Sequence, residues 1–429
     1  MKRIVIENAV RVNENSEMVP CSLLVEEGII AGINGSWEKD ANTVIIDAKG
    51  LVLTPGFIDL HVHLREPGGE GKETIRTGAR AALRGGFTQI FAMPNTQPTP
   101  DTPERLRDLQ ERARKDAPIT IGFYAPITKG EKGEELVDLE VLSHAGAAAF
   151  SDDGKGVQSA GMMYRAMLNA QKLGKVLAAH CEEDSLLFGG YIHQGEYSKA
   201  HGHRGIHPLV EDLQIQRDIA LSEATQCPYH ICHMSTSKGV SMLGEAKKFS
   251  VPVTGEVTPH HLLLTEKDLQ EDGDYKMNPP LRSERDRQAL IQGLRDGIID
   301  AIATDHAPHD EESKSRGLEG SAFGVVGLET AFPLLYTHLV LPGELPLKRL
   351  LDALTSGPAK VMGLETGRLE VGSPADLVLL DLEKTWNIEK KNFESKGKNT
   401  PFEGYSVKGQ VHTVLAKGQI VMQGGQIID

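Results

Sequence analysis

The sequence predicts an α/β chain: a closed (β/α)8 barrel of the TIM type, with a small β-sandwich domain built from both termini. Three observations lead there. Residues 55–365 alternate short apolar runs ending in polar residues with stretches of helical period, the pattern of parallel strands joined by crossover helices. Eight such units occur, the number that closes a barrel. Residues 1–54 and 366–429 instead read as short strands and glycine-marked turns without a long helical period, so the two ends are expected to form one domain. The chain has 429 residues, more than the roughly 100–200 of a common domain but within reach of a barrel carrying an appendage.

In order, strands are expected at 2–7, 22–26 and 43–47, broken by Gly28, Gly32, Gly35 and Gly50. The barrel strands are expected at 56–63, 88–95, 120–126, 147–153, 175–181, 229–234, 251–257 and 299–305. Helices between them are expected at 73–84, 103–115, 134–144, 161–173, 209–224, 238–247 and 284–297, with more at 330–341 and 347–362. Strands at 376–380 and 411–415 return the chain to the β domain. No G-x-G-x-x-G or G-x-x-x-x-G-K-[ST] follows a strand, which argues against a nucleotide-binding open sheet.

Composition narrows the function. Hydrophobic residues make up 39% and charged residues 25%, as in globular proteins. The net charge of −14 argues against nucleic-acid or anionic-membrane surfaces, which need a basic stripe. It leaves room for an anionic small molecule, because one arginine or metal ion can dominate a site. No apolar segment suits a signal peptide, and no run of about 18 apolar residues suits a membrane span. Cys21, Cys181, Cys227 and Cys232 form no C-x-x-C pair, so buried free thiols in the cytoplasm are expected. Cys181 and Cys232 adjoin His180 and His233, and strand alternation predicts that they point away from whatever those histidines do.

Chemistry in a barrel lies at the C-terminal strand ends. His61 and His63 are two residues apart on the first strand and share a face; Ile58, Leu60 and Val62 share the other. The fourth strand ends in Ser151-Asp152-Asp153, the fifth in His180, the sixth in His233, and the eighth in Thr304-Asp305-His306. Nitrogen and oxygen donors of this kind suit zinc. Six ligands exceed the needs of one tetrahedral ion. Two ions would use them all, with His61, His63 and Asp305 on one, His180 and His233 on the other, and Asp153 able to bridge. A pair of metals about 3.5–4 Å apart can activate a bridging hydroxide and polarise a carbonyl.

Several segments then resemble the dihydroorotases of the amidohydrolase superfamily: His61-Val62-His63-Leu64-Arg65-Glu66-Pro67-Gly68, Met93-Pro94-Asn95-Thr96, Asn278-Pro279-Pro280-Leu281-Arg282 and Ala303-Thr304-Asp305-His306-Ala307-Pro308-His309. The terminal Gly372-Ser373-Pro374-Ala375-Asp376 and Pro401-Phe402-Glu403-Gly404 fit the same resemblance. Many relatives bridge their metals with a carboxylated lysine on the fourth strand. This chain has an aspartate there, as in the bacterial branch, and alternation favours Asp153 over Asp152.

The resemblance implies zinc-dependent, reversible cyclisation of N-carbamoyl-L-aspartate to L-dihydroorotate in pyrimidine biosynthesis. Asp305 would be the proton carrier. Arg65, Asn95 and His309 would hold the substrate carboxylate, and Asn278 with the backbone of Phe323 and Gly324 the ring. A homodimer is the expected assembly. The competing expectations are a related cyclic amidohydrolase, such as an allantoinase or dihydropyrimidinase, and a catalytically silent homologue acting as a scaffold. Neither has a ready use for Arg65 beside a full ligand set. The polar segment 308–324 is long for a connection, and its place at the barrel mouth suits a lid or a passive loop. His201, His203, His260 and His261 are assigned no role, and Lys155 is expected in solvent.

Overall fold

The computed structural model describes residues 3–428. The N-terminal strands are β1 (Arg3–Val12), β2 (Met18–Glu26), β3 (Ile29–Ile33), β4 (Thr43–Asp47) and β5 (Val52–Pro55). The barrel strands follow as β6 (Phe57–Val62), β7 (Phe87–Ala92), β8 (Thr120–Ala125), β9 (Ala149–Phe150) and β10 (Leu177–Ala179). A short pair, β11 (Ile192–His193) and β12 (Gly205–Ile206), interrupts them before β13 (Tyr229–Ile231), β14 (Val253–Val257) and β15 (Ala301–Ile302). The chain ends in β16 (Leu377–Asn387), β17 (Ser406–Ala416), β18 (Gln419–Gln423) and β19 (Gln426–Ile427).

The eight barrel strands form one sheet in sequence order, β6 to β15 with the β11–β12 pair outside it, and the registered pairs are parallel. A parallel bridge from Val62 to His306 and the hydrogen bond from His63 N–H to His306 C=O, 2.9 Å, close the circle. Both termini build one nine-stranded sheet, in which β5 pairs antiparallel with β16 and so joins the two ends of the chain. Ile6, Leu23, Leu53, Leu377 and Leu415 are buried together in its core. Between β16 and β17 the chain leaves this sheet, and Ser395 and Asn399 reach the barrel mouth.

Each helix follows local chemistry. Thr102 caps Pro103–Asp116 and Ser159 caps Ala160–Lys172, each side chain accepting an orphan N–H of the first turn. The third helix is shorter than expected, Leu139–His144. Residues 134–138 are instead held by Lys129 N–H to Glu135 C=O, 2.8 Å, and Val137 N–H to Ile127 C=O, 3.1 Å. The predicted helix 347–362 is broken at Thr355 into Leu347–Leu354 and Ser356–Val361. Pro358 lies four residues past Leu354, and its ring would clash with that carbonyl if the first helix continued.

The strand–helix layer is aromatic where β6 meets β7. Phe57 and Phe87 meet edge-on at 5.8 Å, and Phe57 meets Phe332 at 5.6 Å. Burying each such ring is worth roughly 1.5–3 kcal/mol. A second cluster contains Ile58, Leu60, Tyr124, Ala178, Cys232 and Ala301. Val62 does not join Ile58 and Leu60, contrary to strict alternation. A bulge in the β6–β7 register between Asp59 and Val62 moves it into the strand–helix layer.

Gly56 enters β6 against Thr88, and a Cβ there would lie 2.0 Å from the Thr88 hydroxyl. Gly56→Ala therefore overpacks the start of the barrel. It is expected to cost about 1–3 kcal/mol, read as a lowered urea midpoint at unchanged slope; a wild-type midpoint contradicts this packing.

Candidate active site

Four histidines and two aspartates meet at the C-terminal mouth of the barrel, all buried. His61 Nε2 lies 3.3 Å from Asp153 Oδ1 and 3.5 Å from Asp305 Oδ1. His63 Nε2 lies 3.0 Å from Asp305 Oδ1 and 3.5 Å from Asp153 Oδ2. His233 Nε2 lies 3.8 Å from Asp153 Oδ1 and 3.0 Å from His180 Nδ1. His61 belongs to three donor triplets, one with His63 and Asp305, one with Asp153 and His233, and one with Cys232 and Glu256. The donors are thus continuous through His61 and Asp153, and His180 joins them through His233.

The backbone turns these side chains inward. His233 has φ 30°, Asp305 φ 46° and Arg65 φ 59°, a left-handed region that L-residues avoid and that concentrates at functional sites. This also overturns one expectation. Cys181 does point away, its Sγ 3.2 Å from the Tyr229 hydroxyl. Cys232 does not: its sulfur groups with His61 and Glu256, because His233 leaves the alternating strand geometry. Burial pushes the Cys232 thiol up to about 12, so it stays protonated and packs as a small apolar residue.

A metal fits this donor set. His61 Nδ1 lies 3.0 Å from Glu256 Oε1. A carboxylate only accepts, so Nδ1 carries the proton and Nε2 presents a lone pair. That lone pair faces the carboxylates of Asp153 and Asp305. Among the described residues, neither His61 Nε2 nor Asp153 Oδ1 has a hydrogen-bond partner. Against the pull of burial, Asp153 holds His61 well above the ordinary imidazole range, so these groups call for positive charge between them, which a metal ion supplies. Burial alone would raise Asp305, yet it is held below the usual carboxylate range by His63, with His61 and His233 adding to the pull. The cluster therefore demands positive charge.

Sequence reasoning missed the supports behind the ligands. Glu256 also lies 3.0 Å from His230 Nε2 and accepts from the His233 N–H at 3.3 Å. Burial opposes its charge, but His230 and His61 hold it down at about 2. Asp59 accepts from the His61 N–H at 3.0 Å and from the Thr304 N–H at 3.1 Å, tying the first strand to the eighth. Asp152, the carboxylate passed over in favour of Asp153, accepts from the N–H groups of Ile127, 2.7 Å, and Thr128, 3.0 Å. The only available signal was a buried acid inside an otherwise apolar strand.

Of the remaining predicted residues, all but His309 line one cavity. His63, Arg65, Asn95, Asp153, His180, His233, Asn278, Asp305, Phe323 and Gly324 surround about 150 Å³, well below the roughly 300–1,000 Å³ of pockets for drug-sized ligands. Arg65 donates to the Pro308 carbonyl at 3.2 Å, and among the described residues no carboxylate pairs with it. Asn95 Oδ1 sits 2.9 Å from His63 Nδ1, so this side chain orients a ligand as well as facing the cavity. Asn278 donates to Glu182 at 2.7 Å. His309 donates through Nε2 to the Phe323 carbonyl at 2.8 Å; burial, with Arg65 nearby, pulls it down to about 3, so the ring is neutral.

Gly324 is not a free backbone contact. Its N–H donates to Lys276 C=O, 2.9 Å, and its carbonyl accepts from Lys314, 2.8 Å, and Asn399, 3.0 Å. The Phe323 N–H is the donor of the pair without a partner among the described residues. The 308–324 segment is not an open loop: it folds into two helical turns, Glu311–Lys314 and Gly317–Gly320, with Leu318 buried. His201 and His203 sit apart, the latter 2.7 Å from the exposed Glu271. His261 lies 2.9 Å from the Pro279 carbonyl. Lys155 contacts the Glu131 carbonyl at 3.4 Å.

A family model described as Dihydro-orotase-like matches residues 50–239, and one described as Amidohydrolase family matches residues 294–422. The dihydroorotase of Bacillus licheniformis is 52% identical over 424 residues, covering 99% of both chains. That of Bacillus subtilis is 50% identical, again over 99% of both. Among solved structures, the L-hydantoinase (dihydropyrimidinase) of Arthrobacter aurescens has a TM-score of 0.90 at 26% identity, covering 100% of this chain and 98% of its own. A D-hydantoinase from Thermus sp. has a TM-score of 0.86 at 27% identity, covering 99% and 96%. With half of its residues identical to curated relatives from end to end, the chain belongs to the dihydroorotase family of metal-dependent amidohydrolases.

Proposed function

We propose that this protein interconverts N-carbamoyl-L-aspartate and L-dihydroorotate, a ring-closing step of pyrimidine biosynthesis, in the cytoplasm, with the catalytic barrel spanning residues 55–365 and residues 1–54 and 366–429 forming the appended domain. The observation that carries the reading is Arg65: a guanidinium without a carboxylate partner among the described residues, in the wall of the same small cavity as five of the six metal-ligand candidates, His63, Asp153, His180, His233 and Asp305. Hydantoin and dihydropyrimidine rings without a carboxylate have no use for that charge.

His61, His63, His180, His233, Asp153 and Asp305 would hold two zinc ions, with Asp153 spanning them. Zinc bound there supplies Lewis acidity and acidifies water. The chain supplies the rest. Arg65 pairs with the substrate carboxylate through two parallel N–H donors, beside neutral His309 and Asn95. The Phe323 N–H and Asn278 take the ring amides. Asp305 moves the proton: in ring opening its carboxylate accepts one from the attacking water and delivers it to the leaving amide nitrogen. In ring closure the carbamoyl nitrogen attacks the side-chain carboxylate and gives up a proton to Asp305, which delivers it to the departing oxygen. A homodimer is the assembly we favour.

Two substitutions separate these roles. Asp305→Asn is expected to leave the melting temperature near wild type and lower kcat by about 10³-fold or more; an unchanged kcat removes the proton-transfer role. Arg65→Met is expected to lower kcat/KM for dihydroorotate by about 10²-fold with metal content unchanged. A panel of dihydroorotate, dihydrouracil, hydantoin and allantoin then tests the substrate: faster turnover of hydantoin than of dihydroorotate by the wild type overturns the reading.

A further inference from the structure

The substrate-facing backbone at Phe323–Gly324 is held from two sides by residues that the reaction itself does not use. Lys314 is buried, and its Nζ donates to the carbonyls of Lys276, 3.1 Å, Ala322, 2.9 Å, and Gly324, 2.8 Å. These three bonds exhaust an ammonium's donors, and every acceptor is backbone. Burial pulls Lys314 down to about 7, and with only backbone carbonyls around Nζ this side chain is spent on fixing the path of a loop.

Asn399 works from the other side. It too is buried. Its Nδ2 donates to the carbonyls of Ala307 and Gly324, both 3.0 Å, and its Oδ1 accepts from the His309 N–H at 2.9 Å. Its own carbonyl accepts from the Val326 N–H at 2.8 Å. One side chain thus fastens the segment leaving the eighth strand to the segment that returns past the cavity. The two must lie close: Gly324 has φ +130°, and a Cβ there would come within 2.6 Å of the Ala307 Cβ. Asn399 belongs to the excursion between β16 and β17, so the terminal sheet sends a residue into the wall of the barrel's site.

We propose that Lys314 and Asn399 are positioning residues that converge on the Gly324 carbonyl and set where His309 and the Phe323 N–H meet the substrate, so that the terminal domain completes the binding site of the barrel. The kinetic part rests on the dihydroorotate reading above; the structural part does not.

The test uses the full-length, metal-loaded protein with Lys314→Met and Asn399→Ala made separately, so that if one variant does not fold the other still decides. Hydrogen exchange is followed in peptides covering 305–309 and 322–326, together with KM and kcat for dihydroorotate and the metal content. The expected result is exchange in 322–326 about tenfold faster or more, KM raised about tenfold, kcat within about threefold of wild type, and metal content unchanged. Wild-type exchange in that segment, or faster exchange with wild-type KM, overturns the proposal. If the wild type does not act on dihydroorotate, the functional reading falls, and the exchange data still decide whether the clamp exists.

Discussion

Lone pairs of His61 Nε2, Asp153 and Asp305 are buried face to face at the barrel mouth, 3.3 to 3.5 Å apart. The two carboxylates repel each other here, and Asp153 draws positive charge toward His61 Nε2, while Glu256 faces Nδ1 on the opposite side. A cation removes the conflict. Much of the surrounding structure can be understood as keeping those donors in place: Asp59 joins the first strand to the eighth through Thr304, and Glu256 links the seventh strand to histidines on the first and sixth. The barrel is closed beside the same donors, by the backbone hydrogen bond from His63 to His306.

Around this centre the cavity is asymmetric. Its metal side consists of imidazoles and carboxylates on strand ends, rigid because the strands are. Its other wall carries Arg65, Asn278 and Phe323 on loops, with His309 behind Phe323, and these need separate anchors. Those come from Glu182, from Lys314 and from Asn399. Glu73 plays a related part deeper down, 3.2 Å from His306 Nε2 and accepting from Ser395 and the Lys396 N–H. The excursion from the terminal sheet is therefore bound to the barrel by buried polar contacts, and buried polar groups of this kind are costly to leave unpaired.

The eight-unit barrel was legible because each strand is a short apolar run ended by a polar residue, and each helix keeps its period between such runs. Strand extents were less legible: β9 and β15 pair over only two residues each, since pairing depends on neighbours that local pattern does not describe. The ligand candidates were legible because they sit at strand ends on one rim. Cys232 and Val62 went astray for a shared reason: a positive φ at His233 and a bulge after Asp59 break the two-residue alternation. Glu256, Lys314 and Asn399 were not legible at all. Their partners lie 195, 10 and 90 positions away for His61, Gly324 and His309 respectively, and no spacing rule reaches across such separations or ranks an ordinary polar residue by what it will touch.

On the reading proposed above, this donor cluster works only with metal and acts on a carboxylate-bearing ring. Stripping the protein with a chelator and titrating zinc back, while measuring both bound metal per chain and ring closure of N-carbamoyl-L-aspartate, tests it most directly. The account predicts no closure in the stripped protein and recovery that saturates near two zinc ions per chain. Closure that persists without metal, or two bound zinc ions with no closure, would contradict it.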